Sequence, residues 1–158
     1  MTKISTIHDR LVTVVAGAVD SSYARIPNPY DVANNSIQYL RRGYGIGFAD
    51  SLVSRRNVKT QLFESRNFFI VLTREHNVSE TDVDDRTALE KDLIEEKFKV
   101  AKAIELDVVL TDAIKADYVG DTGLSFFSSL DDFGTNLNTD KFIRVDLTVA
   151  VEYVENLS

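Results

Sequence analysis

The chain has 158 residues, no cysteine and no tryptophan, and 25 Asp/Glu against 18 Lys/Arg set its net charge at −7. That length fits one domain, residues 1–158, with a core of its own, and 44% hydrophobic with 27% charged residues is a globular rather than a disordered composition. The missing cysteines exclude a disulfide scaffold, a thiolate metal site and a cysteine nucleophile. No apolar run approaches the roughly 18 residues of a membrane span, MTKISTIHDR lacks the apolar stretch of a secretory signal, and the acidic total argues against a general nucleic-acid coat.

The charge is unevenly placed. Residues 1–74 hold 10 Lys/Arg and 5 Asp/Glu, a balance of +5, and residues 75–158 hold 8 and 20, a balance of −12. Such a chain can present two faces of opposite sign that attract one another between subunits. The plainer reading is that the acids are solvated helix and loop residues.

Residues 4–23 carry Ile7, Leu11, Val14, Val15 and Ala18 at spacings of three and four, the stripe of an amphipathic helix. Thr6 and Asp9 resemble a capping box. The helix must stop before Pro27, and RIPNPYDVANN reads as loop. Residues 36–48, SIQYLRRGYGIGF, alternate imperfectly and read as a strand. Its second half sets Tyr44, Ile46 and Phe48 on one face and Gly43, Gly45 and Gly47 on the other, where a second backbone can approach closely. Residues 49–59 are polar and basic and read as a long exposed connection. In TQLFESRNFFIVLTR, Phe68, Ile70 and Leu72 oppose Phe69, Val71 and Thr73, so this strand is expected to be covered on both sides and to form a long hairpin with 36–48.

Residues 82–107 read as a second helix, with Thr81 as cap and Asp82, Asp84 and Asp85 favoured by the helix dipole in its first turn. Its stripe runs Leu89, Leu93, Ile94, Phe98, Ala101, Ile104, and Glu95–Lys99 is a favourable pair four apart. ADYV-GDTG-LSFF reads as a hairpin with a Gly-Asp-Thr-Gly turn, and SLDDFGTNLNTD as a loop. KFIRVDLTVAVEYVE alternates most cleanly. Ile143, Val145, Leu147, Val149, Val151 and Tyr153 share one face, and Arg144, Asp146, Thr148 and Glu152 a wet one. The expected fold is α+β, a mostly antiparallel four-stranded sheet with two packed helices in the order α-β-β-α-β-β.

Catalytic chemistry finds no foothold in this pattern. GYGIG fails as a nucleotide loop because position 48 is Phe48 and no helix follows. Asp121-Thr122-Gly123 matches the aspartic-protease triplet, but that chemistry needs two such carboxylates, and Leu124 stands where those enzymes place a small residue. His8 and His76 have no histidine at metal spacing, the acids at 82–85 lack the glycine and terminal Glu of a calcium loop, and there is no GxSxG. Neither a cofactor nor a metal ion is expected. The cationic concentration is Arg41, Arg42, Arg55, Arg56 and Lys59. One copy would bind a polyanion weakly, whereas several copies in a ring would line a channel or rim with positive charge. The plain reading is a charge-guarded edge strand and an exposed loop.

The segments IPNPYDVANNSIQYLRRGYGIGFAD and ESRNFFIVLTRE resemble the tail-terminator proteins (tail-completion or neck proteins) of tailed bacteriophages. Those proteins are similar in length, start with a helix, place a glycine- and aromatic-containing strand before a long basic loop, and continue with an acidic helix and a C-terminal hairpin. The resemblance covers most of the chain as a pattern rather than as a signature motif. It implies a structural virion protein without catalysis. Its homo-oligomeric ring, usually a hexamer, caps the tail tube, meets the head connector and lets DNA pass through its lumen after assembly in the host cytoplasm. Arg41, Arg42, Arg55, Arg56 and Lys59 are then the candidates for lumen or subunit contacts. Another neck, head-closure or adaptor protein is the nearest alternative. A small hydrolase on an α+β scaffold is the alternative of another class.

Overall fold

The computed structural model describes residues 3–76, 83–112, 115–128 and 142–157, without the side chains of 50–58 and 111–122. In chain order the elements are helix α1 (Lys3–Ala18), strand β1 (Ala24–Arg25), a 3-10 turn (Val32–Asn34), helix α2 (Ile37–Leu40), strands β2 (Arg42–Val58) and β3 (Gln61–Glu75), helices α3 (Val83–Leu106) and α4 (Val108–Asp112), and strands β4 (Lys115–Phe127) and β5 (Phe142–Asn156). The class is α+β, but the sheet is mixed and has five strands in the order β1-β2-β3-β5-β4. The added strand, β1, pairs parallel with β2 at Gly43 and Tyr44 only. All other pairings are antiparallel.

The alternating faces sort as their parity requires. Phe68, Ile70 and Leu72 of β3, with Ile143, Val145, Leu147, Val149 and Val151 of β5, are buried under Ile7, Leu11 and Val15 of α1 and Leu93, Val100 and Ile104 of α3. The opposite face of β3 has a smaller core, in which Val71 packs with Ile26, Val32, Leu40 and Phe142. The strand is thus covered on both sides, as its two apolar faces predict. The second cover is the 26–40 segment, not a helix layer. It lies against the bare glycine face of β2: a Cβ on Gly45 would stand 2.9 Å from Pro29 Cβ, and one on Gly47 would stand 2.9 Å from Tyr30 Cε1. Asn35 holds the segment's shape. Its buried amide nitrogen donates to the carbonyls of Asn28, Asp31 and Val32, and its oxygen accepts the Asn28 N–H.

Several sequence expectations are corrected. The first helix ends at Ala18 rather than near 23, because the Asp20 side chain accepts the Ser22 N–H at 2.9 Å and turns the chain. It begins at Lys3, so Thr6 and Asp9 lie within it and are no cap. Residues 37–40 are a helical turn, not strand. Ile37 and Leu40, three apart, share one side of it, and Leu40 is buried. Residues 49–59 are no loose connection, since β2 continues to Val58 opposite β3 and the hairpin turns at Lys59 and Thr60. Register shifts between Phe48 and Ser51, Ser51 and Val53, and Arg56 and Val58 insert extra residues and scramble the alternation that marks a strand.

Gly120-Asp121-Thr122-Gly123 is likewise no hairpin tip. It is a bulged stretch of the single strand β4, with one register shift just before it, between Tyr118 and Gly120, one between Asp121 and Leu124, and Gly123 at φ +77°. In α3 the buried stripe is Leu93, Glu96, Val100, Ala101 and Ile104. Phe98 is 57% exposed, because at 100° per residue it sits about 140° around the helix from Leu93. Lys99 pairs with Glu96 at 3.5 Å rather than with Glu95. Thr81, Asp82 and the 129–140 loop lie outside the described residues. No described helix is long and apolar enough to cross a membrane.

One polar tie fixes the helix layer. Arg10 of α1 donates from Nε to Asp107 Oδ2 at 3.1 Å and from a terminal nitrogen to Oδ1 at 2.5 Å, and Asp107 also accepts the Leu110 N–H that opens α4. The Arg10 hydrogen bonds hold the Asp107 carboxyl below its ordinary range. A carboxylate with a lowered folded-state pKa contributes stability that is complete above the unfolded value, about 3.9, and lost as pH falls through the folded one. Asp107→Asn keeps a capping side chain and removes the charge. Its destabilisation, read from urea midpoints, is expected to be constant from about pH 5 to 8 and to shrink below about pH 4. A destabilisation that does not change with pH contradicts this assignment.

Candidate functional site

The five cations singled out from the sequence do not form one patch. Arg41 and Arg42 stand where α2 passes into β2. Arg55 and Arg56 lie near the far end of β2, opposite Phe63 and Leu62, with side chains outside the description, and Lys59 is exposed in the turn beyond. At about 3.3 Å per residue the two groups are on the order of 45 Å apart along the strand. The basic set is therefore divided between the two ends of a ribbon.

The near end is a built cleft of about 400 Å³, lined by Ser22, Gln38, Arg41, Arg42, Arg74, Glu75 and Leu89. Local folding explains why these residues meet. The Arg41 carbonyl accepts the Glu75 N–H at 2.8 Å, and the buried Thr73 hydroxyl donates to the Leu40 carbonyl at 3.0 Å. These bonds fasten the end of α2 to the end of β3. The Ile26 N–H donates to the Tyr44 carbonyl at 2.8 Å and draws the chain after α1 alongside β2. Arg41 Nε then meets Glu75 Oε2 at 3.2 Å, and an Arg42 terminal nitrogen donates to Ser22 Oγ at 3.0 Å. Arg74, which the sequence reading passes over, completes the set directly opposite Arg42. Its parity with Leu72 placed it on the helix side; only the strand register shows that a second arginine faces it there.

Elsewhere the titratable groups serve structure. His8 stacks on Phe48 with centroids 5.6 Å apart, and His76 meets Phe126 edge-on at 5.3 Å. At the far end of the sheet the Tyr153 hydroxyl donates to Glu64, and Arg66 Nε reaches Tyr153 Oη at 3.2 Å and Glu64 at 3.0 Å. Burial, followed by the Glu64 hydrogen bond, pushes the Tyr153 phenol up to about 12. Among the described residues no three His, Asp or Glu side chains converge as a metal set.

The outer edges of the sheet are the other exposed feature. Beyond the two residues covered by β1, the outer side of β2 has no strand partner among the described residues, and neither has the outer side of β4. The first three strands in the sheet order, β1, β2 and β3, come almost wholly from the +5 segment, and β5 and β4 come from the −12 segment. Counted over the strands themselves, β1 and β2 together carry a balance of +3, β3 is neutral, and β5 and β4 together carry −3. No protein-family model matches the chain, and no curated protein matches it significantly.

Proposed function

We propose that this protein is a structural subunit of a ring, a virion assembly protein of the tail-terminator kind that closes the phage tail tube and joins it to the head connector. The observation that supports this most is the pair of open sheet edges, β2 on the cationic side and β4 on the anionic side. Unpaired edges recruit further strands. Two different edges of opposite charge favour a heterologous contact, in which the β2 side of one copy meets the β4 side of the next, and a repeated rotation closes a ring. Arg55, Arg56 and Lys59 then act at the subunit contact or the lumen rim. Arg41 and Arg42, at the other end of β2, belong to a separate surface.

Native mass spectrometry and negative-stain microscopy over rising concentration, with and without purified tail tubes, test the reading. Rings are expected, at least on tube ends, and Arg55→Glu with Arg56→Glu is expected to weaken ring formation about tenfold or more, as a loss of charge complementarity does. A chain that stays monomeric at every concentration and ignores tail tubes overturns the reading. A chain that binds the head connector but not the tube selects the head-closure or adaptor role instead.

A further inference from the structure

The cleft between α2, β3 and α3 has a feature that ring assembly does not require. Arg42 and Arg74 are register partners across β2 and β3, and both line the cleft. Like charges placed directly opposite on a sheet destabilise it unless something lies between or beside them. Neither arginine has a short ion pair among the described residues. Arg74 has a side chain only 12% exposed, yet its ion pair is a 3.9 Å approach to Asp92, whose own side chain is 60% exposed. Arg42 makes no ion pair among the described residues and spends one N–H on the Ser22 hydroxyl.

Tyr23, 8% exposed, packs beside Arg74 and Arg42 and does not itself line the cleft. Two guanidiniums thus stand at the cleft without a short ion pair.

The charge balance narrows the class of anion. Three guanidiniums and one carboxylate line the cleft, and Glu75 already engages Arg41. Asp92 and Asp20 lie at its margin. Once the exposed Asp92 gives up its 3.9 Å approach to Arg74, the surplus of two positive charges in the lining matches a phosphate carrying about −1.5 to −2 near pH 7, whereas a carboxylate or a phosphodiester carries only one negative charge. Guanidinium forks suit the tetrahedral oxygens of phosphate through paired N–H bonds. A volume of about 400 Å³ falls within the usual range of small-ligand sites.

We propose that this cleft binds a dianionic phosphate, free or as the terminal group of a small ligand, between Arg42 and Arg74, with Glu75 limiting affinity by competing for Arg41. The site stands on the cleft alone and does not depend on ring assembly. Inorganic phosphate, a nucleoside 5′-monophosphate and an oligonucleotide without terminal phosphates serve as probes. They are titrated into the full chain by calorimetry at constant ionic strength with chloride as background. Saturable binding of phosphate is expected. Arg42→Gln and Arg74→Gln each weaken it at least tenfold, and Glu75→Gln tightens it severalfold. Tighter binding of the monophosphate than of inorganic phosphate identifies an esterified ligand, and the reverse identifies free phosphate.

Melting curves without phosphate establish that each variant is folded. If the more buried Arg74 variant does not fold, Arg42→Gln and Glu75→Gln decide the matter by their opposite signs. Absence of saturation with both phosphate probes, equal binding by the oligonucleotide, or arginine variants that bind like the wild type overturns the proposal.

Discussion

Phe68→Ala is expected to cost about 3–5 kcal/mol of folding stability. Phe68 is fully buried on the helix side of β3, its ring centroid lies 5.0 Å from that of Phe48, and its cross-strand partners are Phe48 on β2 and Val149 on β5. Removing it opens a cavity at the centre of a close-packed layer that relaxes only in part. Phe98→Ala is the matched control. The sequence stripe assigns Phe98 to the core, but its ring stands 57% exposed on α3, with Lys97 Nζ 4.6 Å above it. Its loss is expected to cost less than about 1 kcal/mol. Urea denaturation of the two variants side by side checks both figures. Equal losses contradict the assignment of the two phenylalanines to opposite environments.

Gly43→Ala is the second large effect, through added rather than removed volume. A Cβ at Gly43 would stand 2.3 Å from the Tyr39 carbonyl oxygen, 2.6 Å from Thr73 Oγ1 and 2.8 Å from Ile26 Cγ1. The first obstacle is backbone, and the second is a hydroxyl committed to the Leu40 carbonyl, so neither can swing aside. Overpacking of this kind costs about 1–3 kcal/mol and occasionally more, and a backbone obstacle puts Gly43 at the upper end. Gly17→Ala provides the contrast. A Cβ there meets nothing within 4 Å, and replacing a helical glycine gains up to about 1 kcal/mol. Opposite shifts in denaturation midpoint are expected, and a Gly43→Ala variant as stable as the wild type shows that the 26–40 segment is not packed as described.

Regular elements were legible where one residue type followed one period. The alternation from Ile143 to Tyr153 and the stripe from Ile7 to Val15 translate directly into burial. Elements whose period is interrupted were not. β2 beyond Phe48 hides behind three register shifts, and β4 hides behind two that enclose Gly120 and Gly123, because each extra residue reverses the parity on which recognition of a strand depends. The helical turn at Ile37–Leu40 is held by its contacts with β2 and β3, which no local window contains. The candidate site was half legible. Arg41 and Arg42 stand out as adjacent cations, but Arg74 and Ser22 join them only through strand register and the fold of the segment after α1.

The sheet order also fixes when the molecule can be finished. β5 lies between β3 and β4, although it follows both in the sequence. Until residue 156 has been synthesised, the hairpin of β2 and β3 has one full-length edge unpaired and β4 has no neighbour to join. Everything translated before that point is a set of parts, and closure of the sheet is a single late event that brings distant stretches of chain together at the loop-closure entropy this entails. Interrupted synthesis therefore yields separate pieces with exposed strand edges, not a smaller version of the fold.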